Sequence, residues 1–127
     1  VMSAGVADWR PAQSADQKLK KGAAESWSLE LTRTPDILQG LVSEGLVKVG
    51  FAAETEDLLA NARKKITAKG LALIAANDIT APDSGFNVDT NKVFLLDSSG
   101  GMEELPLLTK YEVGNRILDR VRELLNN

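Results

Sequence analysis

Between Val49 and Asp78 the chain reads VGFAAETEDLLANARKKITAKGLALIAAND, two apolar runs joined by an amphipathic segment with almost no loop between them. A strand (Val47 to Ala53), a crossover helix (from about Glu56 to Lys69) and a second strand (Leu71 to Ala76) in that order form a parallel β-α-β unit. Thr55 is placed to cap the helix, Glu56 and Asp57 put negative charge in its first turn, and Arg63, Lys64 and Lys65 put positive charge toward its end. Gly70 stops it. Leu58, Leu59, Ala62 and Ile66 share the face that packs on a sheet. Neither flanking run alternates with polar residues, so both are expected to be central strands covered on two sides.

The rest of the chain is arranged around this unit. Val1 to Ala7 (VMSAGVA) reads as a strand of small residues, followed by Asp8-Trp9-Arg10-Pro11. Small side chains at a strand's carboxyl end let a ligand approach the backbone, and an aspartate just beyond can hold a cation or a hydroxyl; ligands of open α/β sheets bind at that edge. A packed strand with an ordinary turn is the competing reading. Ala12 to Ser26 is a lysine-rich loop, either a solvated charge run or a lid. Trp27 to Thr32 alternates as a half-exposed strand does. Thr34-Pro35-Asp36-Ile37 opens a short helix, with Thr34 at the cap and Pro35 in the first turn. Ile79 to Asn91 is a long connection. Lys92 to Asp97 and Met102 to Leu107 form a β-hairpin around Ser98 to Gly101, with Pro106 confining its strand to an edge or end. Thr109-Lys110-Tyr111-Glu112 is a capping box ahead of a stripe of Val113, Ile117, Leu118, Val121, Leu124 and Leu125.

The chemistry open to the chain is narrow. Its 127 residues contain neither cysteine nor histidine. That excludes thiolate chemistry, disulfides and every histidine-dependent triad or metal site within the chain, and leaves carboxylates, lysines, backbone amides and bound Mg²⁺. The missing disulfide framework fits a cytoplasmic protein. The net charge of −3 argues against nucleic-acid binding, and no apolar run approaches the roughly 20 residues that cross a bilayer. No glycine-rich phosphate loop is present, which counts against a dinucleotide-binding dehydrogenase lobe. Val1 already lies in an apolar stretch, and the chain is read as a fragment: an incomplete α/β domain, with a three-layer, Rossmann-like, mostly parallel sheet and a C-terminal β-hairpin and helix.

Eight separated stretches agree with one family: AGVADWRP (4–11), QKLKK (17–21), TPDIL (34–38), VGFAAET (49–55), ARKK with a lysine four further on (62–69), AND (76–78), SGFNVDTN (84–91) and ELPLLTK (104–110). In order and spacing they resemble bacterial phosphopantothenoylcysteine synthetase, which in many bacteria is the C-terminal half of a bifunctional coenzyme A biosynthesis flavoprotein. The resemblance makes residues 1–127 the C-terminal portion of that single domain. It implies a ligase that joins 4′-phosphopantothenate to cysteine through an acyl-cytidylate formed from CTP with Mg²⁺; FMN belongs to the decarboxylase domain and is not expected here.

Carried over by position, the resemblance places Met2, Ser3 and Ala4 against the nucleotide and Asp8 on the nucleotide or its Mg²⁺. Lys18 resembles a flap lysine that stabilises charge on the reacting phosphate and carbonyl, and is the one catalytic candidate. Pro35, Asp36, Ile37 and Leu38 match a nucleotide-contacting stretch, Phe51 packs near the nucleotide, and Lys65 and Lys69 match two CTP lysines. Those lysines lie roughly 15 to 20 Å along the crossover helix from its expected ligand-side start, which strains their placement. The family's glycine-rich nucleotide segment and its acyl-cytidylate asparagine lie ahead of Val1, so the partners implied are the N-terminal half of the domain and, through the hairpin and last helix, a second copy in a homodimer. The alternative is a catalytically incomplete nucleotide-binding lobe.

Overall fold

The computed structural model describes residues 1–3, 5–20, 25–85 and 87–126. In chain order its elements are β1 (Trp9–Pro11), β2 (Leu31–Arg33), α1 (Ile37–Gly40), β3 (Val49–Glu54), α2 (Leu58–Lys69), β4 (Leu73–Asp78), β5 (Thr90–Asp97), β6 (Met102–Glu104), β7 (Leu108–Thr109) and α3 (Lys110–Asn126). Strands β3 and β4 pair in parallel, Val49 opposite Leu73 through Glu54 opposite Asp78, with α2 as the crossover. Parallel pairing ends there: β5 is antiparallel to β4, to β6 and to β7. The sheet is therefore mixed, in the order β3-β4-β5-β6, and a separate two-stranded ribbon joins β1 to β2.

Two cores follow from strand alternation. On one face Val49, Leu73, Ala75, Val93 and Leu95 meet Val113 and Ile117 of α3. On the other Ala52, Ile74, Ala76 and Leu96 meet Ala62 and Ile66 of α2, with Leu38 packed against them. That is the expected three-layer arrangement, with helices on both faces and the C-terminal hairpin and helix in place.

Several local expectations are corrected. Of the two strands in the β-α-β unit only β4 is flanked on both sides; β3 is an edge, reached on its outer side among the described residues by one bond, Met2 N–H to Val49 O at 3.0 Å. Val1 to Ala7 does not form a strand among its described residues, and pairing begins at Trp9 instead. The half-exposed strand at Trp27 to Thr32 shrinks to Leu31–Arg33. Helix α2 starts at Leu58, after Asp57 in a left-handed conformation (φ 47°) with no side-chain cap, so Thr55 does not cap it and Glu56 and Asp57 stand outside its first turn. Lys69 is the basic residue of its last turn, and Gly70 (φ 59°) ends it by returning its N–H to Ile66 O, a left-handed position that suits glycine. Leu59 is 37% exposed and sits off the packed face. At α1 the cap is Asp36, not Thr34. The capping box of α3 forms as read: Thr109 N–H donates to Glu112 Oε2 at 3.0 Å and Glu112 N–H donates to Thr109 Oγ1 at 3.2 Å.

The hairpin turn is built on Asp97. Its Oδ1 accepts from Ser99 N–H (3.0 Å), the Ser99 hydroxyl (2.6 Å) and Gly101 N–H (2.8 Å), while Oδ2 meets Arg120 of α3 at 3.1 Å. Gly101 passes so close that a Cβ there would lie 2.3 Å from Asp97 Oδ2. The Ser99 hydroxyl, then the two N–H groups and Arg120, outweigh burial and hold the Asp97 carboxyl below its ordinary pKa. A depressed pKa contributes stability that is complete above the unfolded value of about 4 and is lost as pH falls through the folded one. Asp97→Ala is expected to cost about 2 kcal/mol at pH 7, with the gap to the parent closing below about pH 4. Urea unfolding at pH 7 and pH 3 measures it; a gap that persists undiminished at pH 3 contradicts it.

Candidate functional site

The parallel pairing brings the carboxyl ends of β3 and β4 to one rim, Glu54 beside Asp78. A cavity of about 510 Å³ opens at that rim and wraps around the outer edge of β3, within the size range of small-molecule sites. Three groups of residues build it. From the α3 face of the sheet come Phe51, Ala53, Ala75, Asn77, Asn91 and Val93, with Val113 of α3. From the α2 face come Ala52, Lys65, Lys69 and the strip Pro35 to Leu38. Met2, Ser3, Gly5, Val6 and Asp8 of the N-terminal segment close it, together with Thr34 after β2.

Short-range bonds hold the strip in place. Asp36 Oδ1 accepts from Gln39 N–H at 3.0 Å, which caps α1. Lys48 Nζ donates to Leu38 O at 3.3 Å and Leu41 O at 3.2 Å, so a cation satisfies the carbonyls at the other end of α1. Thr34 N–H donates to Asp8 O at 2.9 Å and the Thr34 hydroxyl to Ala7 O, so two hydrogen bonds tie the N-terminal segment to the residue just ahead of the strip.

The charges lie on the α2 side. Lys65 Nζ is 2.5 Å from Glu54 Oε1, and Lys69 Nζ is 3.0 Å from Asp36 Oδ2. Gln39 N–H, followed by Lys69, lowers the Asp36 pKa, so that carboxylate is ionised at neutral pH. At the rim Asp78 serves its own turn: Oδ1 accepts from the Thr80 hydroxyl (2.7 Å), Thr80 N–H (2.9 Å) and Ala81 N–H (3.2 Å), and the Thr80 hydroxyl is the first cause of its lowered pKa.

Of the residues singled out from sequence, Met2, Ser3, Asp8, Pro35, Asp36, Ile37, Leu38, Phe51, Lys65 and Lys69 all line this one cavity. Ala4 lies outside the described residues. Lys18 is exposed on the excursion between β1 and β2 and does not reach the lining. The axial distance that strained Lys65 and Lys69 resolves in two ways. Because α2 starts at Leu58, they stand only about 10 and 16 Å along its axis, and the cavity runs down the β3 edge to meet them. Sequence reasoning missed Asn77 and Asn91. Both belonged to quoted stretches, AND and SGFNVDTN, and the β4–β5 pairing sets Asn77 opposite Val93, two residues from Asn91 on the same face. Gly85 N–H donates to Asn91 Oδ1 at 3.2 Å, which leaves the Asn91 amide nitrogen as a hydrogen-bond donor for the cavity.

Among the described residues no three carboxylates gather as a metal centre, and no helix is long and apolar enough to cross a membrane. A carboxylate such as Asp8 suits Mg²⁺ held mainly by water and ligand phosphates, which needs one or two protein oxygens.

Known proteins match this chain over nearly its whole length. The family model for the DNA/pantothenate metabolism flavoprotein C-terminal domain matches residues 1–125. The coenzyme A biosynthesis bifunctional protein CoaBC of Bacillus subtilis (strain 168) is 43% identical over 126 residues, 98% of this chain and 31% of that protein. The protein of the same name in Mycolicibacterium smegmatis is 38% identical over 139 residues, 100% of this chain and 33% of that protein. The chain thus spans about a third of the length of these relatives. A crystal structure of the C-terminal domain of CoaBC superposes with a TM-score of 0.74 at 34% identity, covering 98% of this chain and 53% of the other.

Proposed function

The chain belongs to the DNA/pantothenate metabolism flavoprotein C-terminal domain family, and we propose that it is the C-terminal portion of a phosphopantothenoylcysteine synthetase of coenzyme A biosynthesis. The observation that carries this reading is the gathering of Asp8, Pro35 to Leu38, Phe51, Lys65 and Lys69 around one cavity that follows the outer edge of β3. In the proposed reaction the carboxylate of 4′-phosphopantothenate attacks the α-phosphorus of CTP and pyrophosphate leaves. The cysteine amine then attacks the acyl carbon and displaces CMP.

Each step asks mainly for positioning and for neutralisation of phosphate charge. Lys65 and Lys69 supply cations along the α2 wall, and the strip at α1 holds the nucleotide beside them on the same side. Mg²⁺ held at Asp8 would neutralise phosphate charge when bound. The N-terminal half of the domain supplies the remaining nucleotide contacts, and the outward side of α3, with Leu118 57% and Leu125 65% exposed, supports pairing with a second copy.

Lys18, exposed and outside the lining, takes its role by reaching the bound ligand. Lys18→Ala is expected to lower kcat at least a hundredfold while the CTP Kd changes less than threefold, because the lysine acts on charge that grows in the transition state; an unchanged kcat removes it from the mechanism. The function itself is tested by supplying 4′-phosphopantothenate and cysteine to the full chain with CTP or ATP and measuring pyrophosphate release. CTP-dependent release supports the reading. CTP binding without product leaves only a nucleotide-binding lobe.

A further inference from the structure

We infer that Asp36 competes with the ligand's phosphates for Lys69, so that the ion pair between α1 and α2 is exchanged on nucleotide binding and sets nucleotide affinity. The inference rests on the nucleotide reading of the cavity and adds a residue that works against binding.

The two oxygens of Asp36 have separate tasks. Oδ1 is fixed by Gln39 N–H at 3.0 Å as the cap of α1, while Oδ2 holds Lys69 Nζ at 3.0 Å. The cap anchors the carboxylate, and α1 is anchored in turn by Lys48 at its far end. Lys69 has no such tether. It is a four-carbon stem with a compact ammonium at its tip, in the last turn of α2, and can swing into the cavity without moving backbone. Both Asp36 and Lys69 line the cavity, whereas Glu54, the partner of Lys65, does not. A phosphate entering beside Lys69 therefore meets the Asp36 carboxylate at close range.

The pair is partly exposed, with side chains 30% and 38% accessible. Pairs of that kind are weak, which makes exchange feasible. While it lasts, Asp36 cancels the attraction of Lys69 for an anion. Once Lys69 has moved, the stranded carboxylate repels the phosphates, which limits affinity and favours release of product.

Asp36→Asn separates the two tasks, since asparagine caps a helix as well as aspartate does but carries no charge. By titration calorimetry on the full chain, the variant is expected to bind CTP three- to tenfold more tightly than the parent. In a Lys69→Gln background the same change is expected to have less than a twofold effect on CTP. Unchanged or weaker CTP binding by Asp36→Asn overturns the inference, as does equal tightening in the Lys69→Gln background, which is repulsion without exchange. A parent chain that binds no CTP at all overturns the nucleotide reading itself, a distinct failure.

Discussion

Lys65→Gln together with Lys69→Gln is expected to weaken CTP binding by the full chain at least a hundredfold, with little loss of stability. Hydrogen bonds to charged groups contribute about 1.5 to 3 kcal/mol each, and two of them lost from one wall amount to two or more powers of ten in Kd. The substitutions also leave Asp36 without its cation, so a carboxylate that lines the cavity then faces a polyanion from that side. Stability changes far less, because partly exposed ion pairs contribute about 0 to 1 kcal/mol each. Calorimetric titration with CTP and a thermal melt of the same samples measure both quantities. A Kd within threefold of the parent would take the phosphates away from α2.

Leu73→Ala is the substitution expected to cost the fold most. Leu73 is fully buried (0% exposed) on β4, the strand paired on both sides, and packs in the core shared with α3. Truncating such a leucine removes its transfer energy and leaves a cavity that the strands on either side cannot close, a loss of about 2 to 5 kcal/mol. For a chain of this length that lowers Tm by about 10 °C. The m-value should stay unchanged, since the surface exposed on unfolding is nearly the same. A loss under 1 kcal/mol by urea unfolding would mean that β4 is not the centre of the fold.

What the sequence made legible follows the range of the forces involved. The β-α-β unit was readable because its two apolar runs, the periodic helix between them and Gly70 are local signals that agree. The capping box at Thr109 and Glu112 was readable for the same reason. Element starts were not: Asp57 takes a left-handed conformation at the head of α2 in place of a cap at Thr55, and Asp36 instead of Thr34 caps α1 because Thr34 is engaged with Asp8 and Ala7. The edge position of β3 was illegible for a longer-range reason. Lack of polar alternation implies two covered faces, which β3 has at Val49, Gly50 and Ala52 but not at Phe51 and Ala53, and it says nothing of how many neighbours the strand has.

The cavity divides in the same way. Asp8 was singled out from its place beyond a run of small residues as well as from the resemblance, and the lysines of α2 from the resemblance, but their convergence depends on a cavity that follows the β3 edge, which no local pattern encodes. Asn77 and Asn91 come together only through the register of β4 and β5. Lys18 matched the family by its neighbours in sequence, and it lies between β1 and β2, outside the lining.

The most direct test is a crystal structure of the full chain grown with CTP and Mg²⁺. The phosphates are expected within hydrogen-bond distance of Lys65 and Lys69 Nζ, with the nucleoside between the Pro35 to Leu38 strip and Phe51 and with Lys69 released from Asp36. A nucleotide seated away from the β3 edge, or a Lys69–Asp36 pair intact beside bound CTP, would contradict the account.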